Sequence, residues 1–215
     1  MKPSPAEYDS WYKTPKGRWI GDAEFSLIWD MLSPQKGSAI LDVGCGTGYF
    51  TRRFARMGLE ATGLDVDSSF AAYAKTKDAE STYLTGDALF LPFRDKSFDY
   101  CAAVTSLCFM REPASVVMEM YRVARRGVIV GLLNRRSLLC VLKRGKGAYE
   151  GARWDTAPEA CEWIRGSGEG LETSVRHAVF IPAGSGFAKF MEKIAPSSLP
   201  FGGFFAVSVK PAAHP

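Results

Sequence analysis

The segment from Ile40 to Phe50, Ile-Leu-Asp-Val-Gly-Cys-Gly-Thr-Gly-Tyr-Phe, constrains this chain more than any other. A short apolar run ends in Asp42 and Val43, and Gly44, Gly46 and Gly48 follow at alternate positions before an amphipathic stretch. That order predicts a buried strand, a sharp turn and a helix. Backbone rather than side chains then faces whatever lies above the turn, because glycine has no Cβ to obstruct it. Two ligand classes are disfavoured by the details. A dinucleotide fingerprint needs a third small residue where, counting from Gly44, this chain has Tyr49, and no Gly-Lys-Ser/Thr closes the turn as a triphosphate loop would. Asp42 adds negative charge beside the turn, which repels phosphate and favours a cationic ligand, an ammonium or a sulfonium.

The pattern continues as alternating apolar runs and amphipathic segments. Strands are expected at 39–43, 60–64, 81–85, 98–104 and 128–133, with helices at 49–57, 68–76 and 113–124, the last opened by Pro113. Strand and helix units of this length imply right-handed crossovers and an α/β fold: a doubly wound, mostly parallel sheet covered on both faces. Beyond Asn134 a helix at 156–166 and strands at 174–181 and 204–209 suggest an antiparallel C-terminal strand pair closing the sheet.

Two further acidic residues sit at expected strand ends. Asp65, within Leu64-Asp65-Val66-Asp67, lies 23 positions after Asp42, where this topology sets a carboxylate beside the glycine turn to accept from both hydroxyls of a ribose. Asp87, in Thr85-Gly86-Asp87-Ala88, ends the third strand and is placed to accept from an adenine amino group. Asp67, ahead of Ser68 and Ser69, reads instead as a helix cap.

In order, Leu41 to Gly48, Leu64-Asp65, Gly86-Asp87-Ala88 with Leu91-Pro92-Phe93, and Ser97 to Tyr100 resemble the class I S-adenosylmethionine-dependent methyltransferases, particularly their small-molecule, ubiquinone-biosynthesis-like branch. The likeness covers roughly residues 36 to 134 and implies a Rossmann-like sheet and a methyl transfer from S-adenosyl-L-methionine that leaves S-adenosyl-L-homocysteine. It further implies that the backbone at Gly44 meets the methionine part of the cofactor and Asp65 the ribose, with Asp42, Cys45, Gly46, Gly48 and Val66 also among the cofactor-binding residues. Asp87 and Ala88 then meet the adenine, and Thr105 faces the reactive centre. Such chemistry needs alignment more than a dedicated base, so no catalytic residue is singled out. The acceptor is expected to be a small molecule. Alternatives are an RNA or protein methyltransferase, or a cofactor-binding regulatory module without turnover; Thr105 to Phe109 lacks the Asn/Asp-Pro-Pro-aromatic tetrad of amino-methylating nucleic-acid enzymes.

Outside this core, residues 1–33 hold Tyr8, Trp11, Tyr12, Trp19, Phe25 and Trp29 and are expected to form an N-terminal helical lid, with Tyr12 among the cofactor contacts; residues 34–215 form the methyltransferase domain. A basic insert at 135–154 carries six Lys and Arg against Glu150 alone and is read first as a solvated loop, the alternatives being an acidic substrate drawn into the pocket, an anionic membrane surface or nucleic acid. His177 is read as a core or edge residue before a base. Five cysteines without a Cys-x-x-Cys pair, beside two histidines, support neither a disulfide framework nor a metal site. The net charge of +4 does not by itself indicate a nucleic-acid partner. With no signal-like apolar run and no spanning segment, a cytoplasmic location is expected.

Overall fold

The computed structural model describes residues 3–165 and 171–211. In chain order the elements are α1 (Pro5–Trp11), α2 (Pro15–Leu32), β1 (Ala39–Val43), α3 (Tyr49–Arg56), β2 (Glu60–Asp65), α4 (Ser68–Lys77), β3 (Thr82–Thr85), β4 (Phe98–Val104), α5 (Pro113–Val123), β5 (Ala124–Leu133), α6 (Leu138–Lys143), α7 (Ala157–Arg165), β6 (Leu171–Ala178), α8 (Gly186–Ile194) and β7 (Phe204–Pro211). Single 3-10 turns occur at Leu107–Phe109 and Gly147–Tyr149. The strands form one seven-stranded sheet in the order β3-β2-β1-β4-β5-β7-β6. β1, β2, β3, β4 and β5 pair in parallel, and β7 runs antiparallel to both β5 and β6. This is the doubly wound, mostly parallel sheet with an antiparallel C-terminal pair that the alternation predicted.

Central strands read as continuous apolar runs because both faces are covered. The pleat sorts them: Leu41, Val43, Leu64, Cys101, Ala103 and Val130 pack with Val117 and Met120 of α5 and Ile164 of α7. Ile40, Ala61, Tyr100, Ala102 and Ile129 face the other way, onto Ile20 and Ile28 of α2 and Phe50 and Phe54 of α3. Part of the expected lid is therefore core: α2 is a layer helix of the sheet, entered through a Thr14 cap and Pro15. The short α1, opened by a Ser4–Glu7 capping box, is a separate piece. It is held by buried Asp9, which pairs with Arg52 of α3 at 3.1 Å, while the same guanidinium donates to the Thr47 carbonyl at 2.6 Å.

Several expectations differ from what forms. β5 begins at Ala124 rather than 128, because α5 runs into it without a loop and Phe98 pairs with Ala124 across an irregular register. β6 ends at Ala178 rather than 181: Val179 has φ 63°, and the N–H groups of Val179 and Phe180 donate to the Glu192 carboxylate of α8 at 2.7 and 3.0 Å. α6 and α8 were not expected. The helix expected at 156–166 is α7, and residue 166 lies outside the described residues. His177 is buried on β6, its ring against Phe205 at 5.8 Å and its Nδ1 without a hydrogen-bond partner among the described residues; burial lowers its pKa. Among the described residues no helix is long and apolar enough to cross a membrane.

The basic insert is not simply a solvated loop. Ser137 caps α6, Arg135 pairs with Glu159 of α7, and the Arg153 guanidinium reaches Asp155 at 2.7 Å and the carbonyls of Met110 and Leu107 at 2.8 and 3.0 Å. Arg153 thereby ties the insert to the turn after β4.

Candidate functional site

Parallel strands deliver their last residues to one edge, and here the carboxyl ends of β1, β2, β3 and β4 bring Asp42, Asp65, Thr85 and Val104 to it. Ligands of open α/β sheets lie outside this edge, where the strand order reverses between β1 and β4. Gly44, Gly46 and Gly48 have φ of 69°, 53° and 74°, so the turn between β1 and α3 uses a conformation side chains rarely adopt. The N–H groups of Gly44 and Cys45 both donate to Leu64 O, at 2.7 and 3.0 Å, which pins the turn against β2.

The three glycines do different jobs. A Cβ on Gly44 would lie 2.5 Å from Ser106 Cβ, and one on Gly48 would lie 2.7 Å from the Tyr83 hydroxyl, so protein atoms already account for both. Above Gly46 the nearest atom to an added Cβ is Phe70 Cδ1, at 3.8 Å; here the backbone is open. Tyr49, the residue that argued against a dinucleotide, is turned toward the N-terminal helices: it stacks on Tyr12 at 3.7 Å and occupies the space a side chain at Gly21 would need.

Asp65 stands beside that open stretch, half-buried. Its Oδ2 accepts from Gly46 N at 2.7 Å and its Oδ1 from Asp67 N at 2.9 Å. Burial raises its pKa, opposed by those backbone donors. Val66 next to it is 73% exposed and Phe90, just beyond Asp87, is 77% exposed; apolar faces thus flank the β2 and β3 ends. Asp87 is exposed and its Oδ1 accepts from Leu89 N at 2.9 Å, while Ala88 is buried. Asp67 caps α4 through Ser69 N, as its sequence context suggested.

Asp42 is placed differently from the other carboxyls. It is buried under the turn, accepts from the Thr51 hydroxyl at 2.6 Å, and is pushed up to about 7 by burial. It orients the start of α3 more directly than it faces the edge. Cys45 is likewise buried, its thiol pKa raised by burial, which removes thiolate character. Thr47 leaves a buried hydroxyl inside the turn without a hydrogen-bond partner among the described residues.

On the β4 side, Thr105 has φ 52°, an uncommon conformation for a β-branched residue, held by its N–H donating to Gly131 O at 2.8 Å and by the Cys108 thiol on its carbonyl. Thr105 lines a cavity of about 300 Å³ together with Tyr8, Tyr12, Glu24, Leu133 and Tyr149. The structure thus brings two of the expected residues, Thr105 and Tyr12, to this cavity, and sets Gly46, Asp65, Val66, Asp87 and Ala88 along the neighbouring strand ends. Tyr8 borders both, its ring edge-on to Phe70 at 5.9 Å and to Tyr12 at 6.1 Å. Glu24 and Tyr149 were missed by sequence reasoning. Glu24 carried a signal: it is an acid midway between Ile20 and Ile28, at four-residue spacing on the buried face of α2. A larger open cleft, about 570 Å³, lies on the far side of Tyr12 among Arg18, Arg52 and Arg53 and includes none of the strand-end residues.

Comparison with known proteins places these features. Residues 41–131 match the family model described as a methyltransferase domain. Over 100 residues the chain is 32% identical to malonyl-[acyl-carrier protein] O-methyltransferase of Pectobacterium atrosepticum, covering 46% of this chain and 40% of that protein. Over 101 residues it is 33% identical to demethylmenaquinone methyltransferase of Renibacterium salmoninarum, covering 47% and 43%. The chain thus spans less than half the length of these curated relatives. In fold it is similar to a crystal structure from Thermotoga maritima of a SAM-dependent methyltransferase described as a possible histamine N-methyltransferase, with TM-score 0.74, 23% identity and 95% coverage of both chains. The glycine turn, the acidic strand ends and the sheet order agree with this match, so residues 41–131 carry the features of a methyltransferase domain.

Proposed function

We propose that the protein transfers a methyl group from S-adenosylmethionine to a small-molecule acceptor, in the cytoplasm. The observation that carries this reading is the pairing of an open Gly46 backbone with the Asp65 carboxylate at the switch point of the sheet. The residues present fit an adenosyl sulfonium. Asp65 is already oriented by two N–H donors and keeps acceptor capacity for a diol. Val66 and Phe90 offer apolar faces to a planar base, with Asp87 between them in sequence and Ala88 behind. The aromatic rings of Tyr8 and Tyr12 favour a cationic centre. When bound, the cofactor supplies a methyl group on a positively charged sulfur, a reactive carbon whose transfer is an in-line displacement.

The chain's own contribution is then positional. Thr105 and the Tyr8–Tyr12 pair border the space between the cofactor edge and the 300 Å³ cavity, so an acceptor in that cavity meets the strand ends from the β4 side. α1, clamped by the Asp9–Arg52 pair, covers this junction and excludes water, and orientation of this kind is worth on the order of 7–11 kcal/mol. Titration calorimetry with S-adenosylmethionine and S-adenosylhomocysteine tests the assignment. Asp65→Ala is expected to weaken both by about 1.5–3 kcal/mol, the scale of hydrogen bonds to a charged group; unchanged affinity would reject the ribose role.

A further inference from the structure

The cavity beside Thr105 combines two kinds of lining. Tyr8, Trp11, Tyr12, Phe109 and Tyr149 supply aromatic faces, and Glu7, Glu24 and Glu150 supply carboxyls. Among the described residues no Lys, Arg or His lines it. Glu24 is the group that fold stability does not explain. It is 6% exposed on the inward face of α2, between the fully buried Ile20 and Ile28, and among the described residues its carboxyl has neither a hydrogen-bond donor nor a cationic partner. A buried carboxylate without a partner is costly, and an apolar residue would pack better there. The one thing on its open side is the cavity.

Resting on the methyltransferase reading above, we propose that this cavity takes a small organic amine as the methyl acceptor, with the Glu24 carboxylate pairing with its ammonium group. Charge selects the class. An ammonium finds an anion and several ring faces, a favourable setting for a cation. A carboxylate or phosphate acceptor would find carboxyls and no counter-charge, so the cavity discriminates against it.

Glu24 also suits the proton step that amine methylation requires. An ammonium nitrogen has no free electron pair. Transfer of one proton to Glu24 leaves a neutral amine and a neutral carboxylic acid. The freed pair then forms the nitrogen–carbon bond as the donor's carbon–sulfur bond breaks, both its electrons passing to sulfur. The positive charge ends on the methylated nitrogen, and the proton on Glu24 leaves to water with the product. Burial pushes the Glu24 carboxyl up to about 8, a basicity matched to this exchange near neutrality. Tyr8, Tyr12, Tyr49, Tyr149 and Cys108, which surround it, are all raised by burial and stay protonated over that range, and Glu7 is lowered by its Ser4 contacts.

The test uses the full chain saturated with S-adenosylhomocysteine at pH 8.5, and three probes of one shape: tyramine, its neutral alcohol tyrosol, and 4-hydroxyphenylacetate. By calorimetry tyramine is expected to bind at least about tenfold more tightly than tyrosol, the acid more weakly than either, and Glu24→Gln to bring tyramine down to the level of tyrosol. With S-adenosylmethionine present, mass spectrometry should find tyramine methylated on nitrogen. Equal affinity for tyramine and tyrosol, or preference for the acid, overturns the proposal, and that comparison needs no variant. A loss of tenfold or more in S-adenosylhomocysteine affinity in Glu24→Gln overturns it too, since Glu24 would then serve the cofactor's own ammonium. A wild-type chain that binds neither form of the cofactor overturns the reading on which this rests, whereas one that binds them without preferring the amine overturns this inference alone.

Discussion

Glu24→Gln should make the protein more stable, by a margin that grows as pH rises from about 4.5 to 8. The Glu24 carboxyl has a pKa of 4.5 when solvated and about 8 in the folded chain, raised by burial. Below pH 4.5 it is protonated in both states and folding carries no cost. Between these values the folded state holds a proton that the unfolded chain releases, so wild-type stability falls as pH rises and the full cost is present above pH 8. At about 1.36 kcal/mol per pH unit, the interval corresponds to about 4–5 kcal/mol. Glutamine is nearly isosteric and has no charge to lose. Asp42, raised by burial to about 7, lowers stability with the same sign, but it is present in both proteins and cancels in the comparison. Urea unfolding at pH 5, 7 and 9 should therefore show the two proteins nearly equal at pH 5 and the variant ahead by about 4 kcal/mol at pH 9. In a chain of this size that is a difference in melting temperature of about 8–16 °C. A difference that stays constant across this range, or a wild type that gains on the variant as pH rises, would refute the account of Glu24 as a buried, unpaired acid. Such a cost, retained by the protein, is what a binding group facing a cavity looks like energetically.

The glycine turn offers a paired test. Gly44→Ala, which forces a Cβ to 2.5 Å from Ser106 Cβ, should cost about 2–4 kcal/mol, whereas Gly46→Ala, with its nearest neighbour 3.8 Å away, should cost only the backbone strain of about 1–2 kcal/mol while impairing cofactor binding; equal losses on thermal denaturation would contradict the packing described. Arg52→Met removes the link between Asp9 of α1 and the Thr47 carbonyl and should lower stability by about 2 kcal/mol, with faster amide exchange across residues 5–11; unchanged exchange there would mean α1 is held by its aromatic contacts instead. Cys45, Cys101 and Cys108 are buried with raised thiol pKa values, so brief iodoacetamide treatment of the native protein at pH 7.5 should leave them unlabelled by peptide mass mapping.

The central strands were legible because burial on both faces leaves mostly apolar residues: 39–43 and 98–104 are the observed limits of β1 and β4. The Asp67 cap was legible because capping is local chemistry between neighbours. α6 and α8 were not, since a six-residue and a nine-residue helix draw their stability from tertiary contacts rather than propensity, although Ser137 and Ser185 stand at their caps. The early start of β5 was hidden by Arg125 and Arg126, whose side chains reach Asp99 from an otherwise apolar strand. At the site, the alternate glycines and acidic strand ends could be read from spacing. That Gly44 and Gly48 answer to Ser106 and Tyr83, and that Asp42 turns under the loop to Thr51, could not.

By itself, then, the sequence determined the parallel sheet, the edge at which its strands end and the acidic residues carried there, because periodicity and glycine placement act over a few residues along the chain. Only the tertiary structure decided which of those carboxyls stays accessible, which helix of the first 33 residues belongs to the core, and that Glu24, Thr105 and Tyr149, up to 125 positions apart, enclose one cavity. Those outcomes depend on burial and on contacts between elements remote in sequence, and desolvation, which sets both the pKa of Glu24 and the selectivity of the space around it, exists only once the chain has closed over it.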